Sequence, residues 1–230
     1  MSLLYLLYDA TYILVLIGIG ISMWASWNVK STFKKFSTVG NARRITAEQA
    51  AVAILRGAGI NDVRIERVRG DLTDHYSPRE KVLRLSDSVY GSQSVAAIGV
   101  AAHECGHAIQ HNKGYAPLHI RSAVIPVANI GSKLSWPVIL LGLIFGWTGL
   151  MNIGIWLFVF VVFLQFITLP VEFNASARAM KILDRDQMLY GQELNGARKV
   201  LTAAALTYVA ALLSSILQLL RLIILRNRRR

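Results

Sequence analysis

LSWPVILLGLIFGWTGLMNIGIWLFVFVVFLQFITLPV, residues 134–171, runs for 38 residues without one Asp, Glu, Lys or Arg. A helix crosses the hydrocarbon core with about 20 apolar residues, so the run is too long for one span. Its middle, GWTGLMNIG at 146–154, gathers glycines with small polar residues and reads as a turn. The stretch is expected to form a helical hairpin. Its first arm draws on residues before Lys133, whose stem snorkels to the interface. Two further stretches carry no charge, 10–29 and 200–220, and each fits one span. The first has no basic residue before it and several after it, which argues for an uncleaved span rather than a signal peptide.

The whole composition agrees: 54% of the 230 residues are hydrophobic and mean hydropathy is +0.44. The formal net charge of +12 does not point to nucleic acid, because the cations sit at the ends of spans and no aromatic-interleaved basic groove accompanies them. Lys30, Lys34, Lys35, Arg43 and Arg44 follow the first span, Arg198 and Lys199 precede the last, and Arg226, Arg228, Arg229 and Arg230 close the chain. Basic residues at span ends mark the cytoplasmic side. The N-terminus is therefore expected outside, with residues 28–120 and 172–199 inside. The last stretch conflicts with this rule if it crosses, since its basic tail then ends outside. Thr207, Ser214, Gln218 and Arg221 form a polar stripe on it that suits a bundle interior or a wet cavity. A single cysteine, Cys105, excludes an intrachain disulfide and fits a cytosolic face.

The fold class expected is mainly α: a multi-span helical membrane protein with a small cytosolic α+β insertion. The segments are 1–29 as first transmembrane helix, 30–117 as the insertion, 118–171 as hairpin, 172–199 as a cytosolic helix bearing Glu172, and 200–230 as last hydrophobic helix with its basic tail. Within the insertion, TAEQ at 46–49 matches a capping box opening a short helix closed by Gly57 or Gly59. DVRIERV (62–68) and KVLRL (81–85) alternate like strands, with turns between them. The second strand is expected to offer an edge to an extended peptide. From Ser94, SVAAIGVAAHECGHAIQH is a helix apolar on all sides until its histidines begin, and Asn112-Lys113-Gly114 ends it.

That helix carries the chemistry. His103 and His107 stand four residues apart, about 40° apart around the axis, so two imidazoles can share one zinc. Glu104 follows the first histidine where a general base for metal-assisted hydrolysis belongs, the H-E-x-x-H arrangement. Cys105 lies about 200° from His103 and points away. A catalytic zinc takes a third protein ligand. His111 has drifted about 80° round the helix, and Gln110 and Lys113 stand where the extended metzincin pattern wants Gly and His. His111 is thus expected beside the site rather than on the ion. Glu172, at the membrane edge after the hairpin, is the other candidate, because an unpaired carboxylate there is costly. His75 and Tyr76 are candidate donors to a developing oxyanion.

WNVKSTFKKFS (27–37), LTDHYSPREKVLRLS (72–86), VAAHECGHAIQH (100–111) and LPVEFNASARA (169–179) together resemble the YugP-like neutral zinc metallopeptidases of bacterial membranes. More distantly the chain is similar to gluzincin membrane proteases of the CAAX-protease and HtpX type. The resemblance implies Zn2+ held by His103, His107 and Glu172 with Glu104 as base, in an integral protein of the bacterial cell membrane whose site faces the cytoplasm. It implies a protein or peptide substrate at the bilayer, no nucleic acid, and either a regulatory membrane partner or self-association. The distant relatives often place an Asp four residues after the glutamate to orient a histidine. Here Ser176 stands at that position, so Ser176 or Asn174 takes the task.

Two rivals differ in kind. A scaffold with a structural zinc would have no use for Glu104. A metal transporter would need ionisable residues in mid-membrane, and the spans carry almost none.

Overall fold

The structure is a computed structural model and describes residues 9–228. Residues 1–8 of the expected first span, and Arg229 and Arg230 of the basic tail, lie outside the described residues. The described elements, in order, are α1 (Tyr12–Ser37), α2 (Ala47–Gly57), β1 (Arg64–Val68), β2 (His75–Ser77), β3 (Val82–Ser86), α3 (Val95–Asn112), α4 (Ala116–Ile144), α5 (Thr148–Arg185) and α6 (Gln192–Asn227). The protein is mainly helical, and α1, α4, α5 and α6 are each long and apolar enough to cross a membrane. Helix α5 runs without a break through Glu172, and α6 through Lys199. Contacts divide the chain into two units: Met1–Ser26 with Ile120–Leu169 and Thr207–Arg230, and Trp27–His119 with Pro170–Leu206.

In the first unit the expected hairpin is present. Residues 145–147 join its arms, and Gly146 turns the chain at φ +65°, a conformation glycine adopts without steric cost. Ile139 and Leu143 of one arm pack against Met151 and Phe158 of the other, with Leu222 of α6. Two residues of the polar stripe of α6, Ser214 and Arg221, face α1. Ser214 donates to the Gly18 carbonyl (2.7 Å) and bonds the Ser22 hydroxyl (2.8 Å). The Arg221 guanidinium lies 5.1 Å from the Tyr12 ring centroid, and Arg228 pairs with Asp9 at 2.7 Å. Since partner numbers fall along α1 as they rise along α6, these helices run antiparallel. The outward side chains, among them Leu16, Ile17, Trp136, Trp156 and Phe163, are exposed apolar groups, as a surface solvated by lipid requires.

The second unit is the α+β part. The capping box forms as read: Gln49 N–H donates to the Thr46 hydroxyl, and Thr46 N–H to the Gln49 side chain. Helix α2 buries Ala47, Ala50, Ala51, Ile54 and Leu55. These join Leu83 and Leu85 of β3 and the apolar residues of α3 in one core. Ser94 caps α3 by accepting from Ala97 N–H.

The segment between β1 and β3 contains the expected turns and also a short strand that the sequence did not suggest: His75–Ser77 forms β2, held to β3 where the Ser86 N–H and hydroxyl donate to Asp74 (2.7 and 2.8 Å). The expectation about β3 is corrected. Strand β3 is not an edge. The order is β1-β3-β2, with β1 parallel and β2 antiparallel to β3, so both its backbone edges are occupied. Being central, it also departs from half-burial: Val82 and Leu83, neighbours in sequence, are both buried.

Candidate metal centre

Helices α3 and α5 bring three candidate donors together. The His103 Nε2 lies 3.2 Å and the His107 Nε2 3.5 Å from the same Glu172 carboxylate oxygen, and the three donor atoms lie within 4.8 Å of one another. Tetrahedral zinc with bonds of 2.0–2.2 Å needs ligand atoms about 3.3 Å apart. The donor set, two imidazoles and one carboxylate, and its spacing both fit the ion. Glu172 is almost wholly buried, and its carboxylate faces these two rings.

The other ring nitrogens are held as well. His103 Nδ1 bonds Ser176 Oγ at 3.0 Å. His107 Nδ1 bonds Gln110 Oε1 at 3.0 Å. Gln110 is fully buried, and its Nε2 donates to the Val171 carbonyl (2.8 Å) and to Asn174 Oδ1 (3.0 Å). Asn174 Oδ1 also accepts from Arg178 Nε at 2.7 Å, so neither amide can be flipped without losing bonds. The consequence is chemical: an amide oxygen only accepts, so His107 must donate through Nδ1–H, which leaves the Nε2 lone pair for an ion. Burial works to lower the His107 pKa, but hydrogen bonding to Glu172, the charges of Glu104 and Glu172, and Gln110 outweigh it, and the ring stays above the ordinary histidine value. Two carboxylates around two imidazoles make a site that favours a cation.

Glu104 is buried at 8% exposure and forms no ion pair with Lys or Arg among the described residues. A buried carboxylate without a cation partner is costly. Cys105 points the other way, its thiol fully buried near the Ala51 carbonyl, and burial pushes its pKa up. A thiol so placed is inert.

His111 stands apart from the donor group and bonds the Tyr76 hydroxyl at 2.9 Å. Burial, then the charges of His119 and Lys81, hold its pKa down against the opposing pull of Asp62. His75 and Tyr76 are adjacent on β2 and so project to opposite faces of the sheet. Tyr76 packs against the core that includes α3, whereas His75 is exposed and its Nδ1 bonds the Thr73 carbonyl at 2.9 Å. Asn174 bonds Gln110 and Arg178, not a ring nitrogen, while Ser176 bonds a ring directly. Gln110 is the contact the sequence reading missed. Its signal was its place three residues after His107, one turn along the same face.

Comparison with known proteins agrees with this chemistry. A curated relative, "Putative membrane protease YugP" of Bacillus subtilis (strain 168), is 46% identical over 212 residues, covering 92% of this chain and 94% of the relative. No solved structure matches the chain. The family model described as "Putative neutral zinc metallopeptidase" matches residues 11–227; with donors of that spacing on H-E-x-x-H and Glu172, the chain belongs to this family of membrane zinc metallopeptidases.

Proposed function

We propose that the protein is a membrane-embedded zinc endopeptidase in which His103, His107 and Glu172 hold the metal and Glu104 is the general base. The observation that supports this most is the 3.2 and 3.5 Å spacing of the imidazole nitrogens from one buried carboxylate oxygen. Zinc, when bound, acidifies a water and polarises the scissile carbonyl. The chain's residues do the rest. Glu104 takes the attacking water's proton and delivers it to the leaving amine nitrogen. Ser176 and Gln110 fix the histidine rings so that both Nε2 atoms face Glu172. Of the two expected oxyanion donors, Tyr76 is supported over His75, because its hydroxyl lies on the α3 side of β2, steadied by His111. The edge for an extended substrate passes from β3 to β2, which pairs only with β3 among the described residues.

The basic residues in and after the last turns of α1 and before the apolar part of α6 support a site on the cytoplasmic side, and the likeness to a membrane protease supports a membrane-associated protein or peptide as substrate. A structural zinc in a scaffold is disfavoured by Glu104, buried without a cation partner. The test pairs two variants. Glu104→Gln should keep zinc and lose at least ~100-fold in cleavage, and Glu172→Ala should lose zinc. Cleavage at the wild-type rate by Glu104→Gln would end the proposal.

A further inference from the structure

Near residues 28–36 of α1 and 198–206 of α6 lies a cleft of about 380 Å3, away from the histidines. Lys35, Arg198 and Lys199 line it with Thr32 and Thr202, and its floor includes Leu206. No carboxylate lines it, and none of the three cations forms an ion pair among the described residues. Three positive charges around one cleft repel each other unless an anion joins them.

The cleft's depth in the bilayer narrows the choice of anion. The uncharged part of α6 begins directly after Lys199, and that of α1 ends directly before Lys30. Trp27, 67% exposed, sits one residue before the cleft, and exposed tryptophans settle at the headgroup level. Leu206 lies seven residues, about 10 Å, further along α6 than Lys199, on the apolar side. The ligand that fits is anionic at one end and hydrocarbon at the other.

We propose that this cleft binds one anionic phospholipid. Lys35, Arg198 and Lys199 surround its phosphate, the Thr32 and Thr202 hydroxyls donate to its ester oxygens, and an acyl chain lies along Leu206. A basic residue near an anionic lipid surface contributes about fivefold to binding, so three contribute roughly 100-fold.

The experiment is native mass spectrometry of the full-length protein in mild detergent with equimolar phosphatidylglycerol and phosphatidylcholine of the same chains. Wild type should retain one phosphatidylglycerol in strong preference. Lys35→Gln/Arg198→Gln/Lys199→Gln should lose that preference, whereas Lys30→Gln/Lys34→Gln/Arg44→Gln, with equal charge loss outside the cleft, should keep it. Equal loss in both triple variants, or retention in the first, overturns the proposal in favour of diffuse surface charge. Displacement of the lipid by millimolar inorganic phosphate overturns it in favour of a free-phosphate site. If the first triple variant does not fold, Thr202→Trp decides, since it fills the cleft and leaves every charge in place. It should abolish the retained lipid, and an undiminished adduct overturns the proposal.

Discussion

Gly106, inside HECGH, sets how closely α3 and α5 approach. A Cβ at this position would lie 2.6 Å from the Ala175 carbonyl oxygen and 3.1 Å from its carbonyl and α carbons. Ordinary contact begins at 3.4 Å, so Gly106→Ala displaces α5 by about 0.8 Å, and the obstructing atoms are backbone that cannot rotate aside. Two effects oppose. Alanine improves helix propensity by about 1 kcal/mol, while overpacking costs about 1–3 kcal/mol. The second wins, for a net loss of up to about 2 kcal/mol. The effect on zinc is larger, because Glu172 stands one turn from Ala175 and metal bonds tolerate only about 0.2 Å. Misplacement of this size costs on the order of 100-fold. Chelator competition should show zinc affinity reduced by that order, and cleavage of a quenched fluorescent peptide should fall at least as far. Gly99→Ala is the control, since its Cβ meets the Ala197 methyl at 3.3 Å and that residue's backbone only at ordinary contact distances of 3.6 and 3.8 Å. It should bind zinc normally and unfold within about 1 kcal/mol of wild type. Gly106→Ala with wild-type zinc affinity would show that the close approach does not position Glu172, and the reasoning fails.

Further outcomes follow from the same contacts. Gln110→Leu removes the acceptor on His107 Nδ1 and should weaken zinc about 10–100-fold in the chelator assay, with the fold kept by circular dichroism. Tyr76→Phe should retain zinc and lower cleavage by roughly 100-fold, while His75→Ala should leave both near wild type; the reverse ranking would return the oxyanion role to His75. His111 is held below its ordinary value of 6.5, so the unfolded chain binds its proton more readily. The stability this contributes is present above pH 6.5 and is lost as pH falls through the lower folded value. Thermal unfolding of His111→Asn should therefore lose less stability on acidification below pH 6.5 than wild type.

What the sequence disclosed was local. The capping box at Thr46 and the Ser94 start of α3 each depend on a few adjacent residues and appear where the pattern put them, while the hairpin turn falls at 145–147, at the start of the expected 146–154 stretch, whose remainder is already helical. The misses depend on partners distant in the chain. Strand β2 is three residues long, too short for a period, and is fastened by Asp74 to Ser86 twelve residues on. KVLRL looks like an edge because Arg84 interrupts it, yet strand order is set by which segments close on each side, and nothing in five residues records that. Position 110 served only to exclude a metzincin glycine, whereas its glutamine is the bond that fixes His107.

The two x positions of H-E-x-x-H are not free here. Cys105 is wholly buried towards Ala51 of α2, and Gly106 is covered by Ala175 of α5, so adjacent residues of the motif pack on different helices. Along α3, His103 meets Ser176 and Glu172, Gly106 meets Ala175, His107 meets Glu172, and Gln110 meets Val171 and Asn174. The first of these residues reaches up to Ser176 and the last down to Val171, so the contacts form one seam between antiparallel segments. On α3 the spacing is i, i+3, i+4, i+7, a single helix face. HECGHAIQ and VEFNAS are therefore two halves of one contact. In the proposed site the motif's histidines would supply two donors, and the arrival of the third would depend on Gly106: a side chain there meets the Ala175 backbone, one turn from Glu172, and would lift that turn away from both rings.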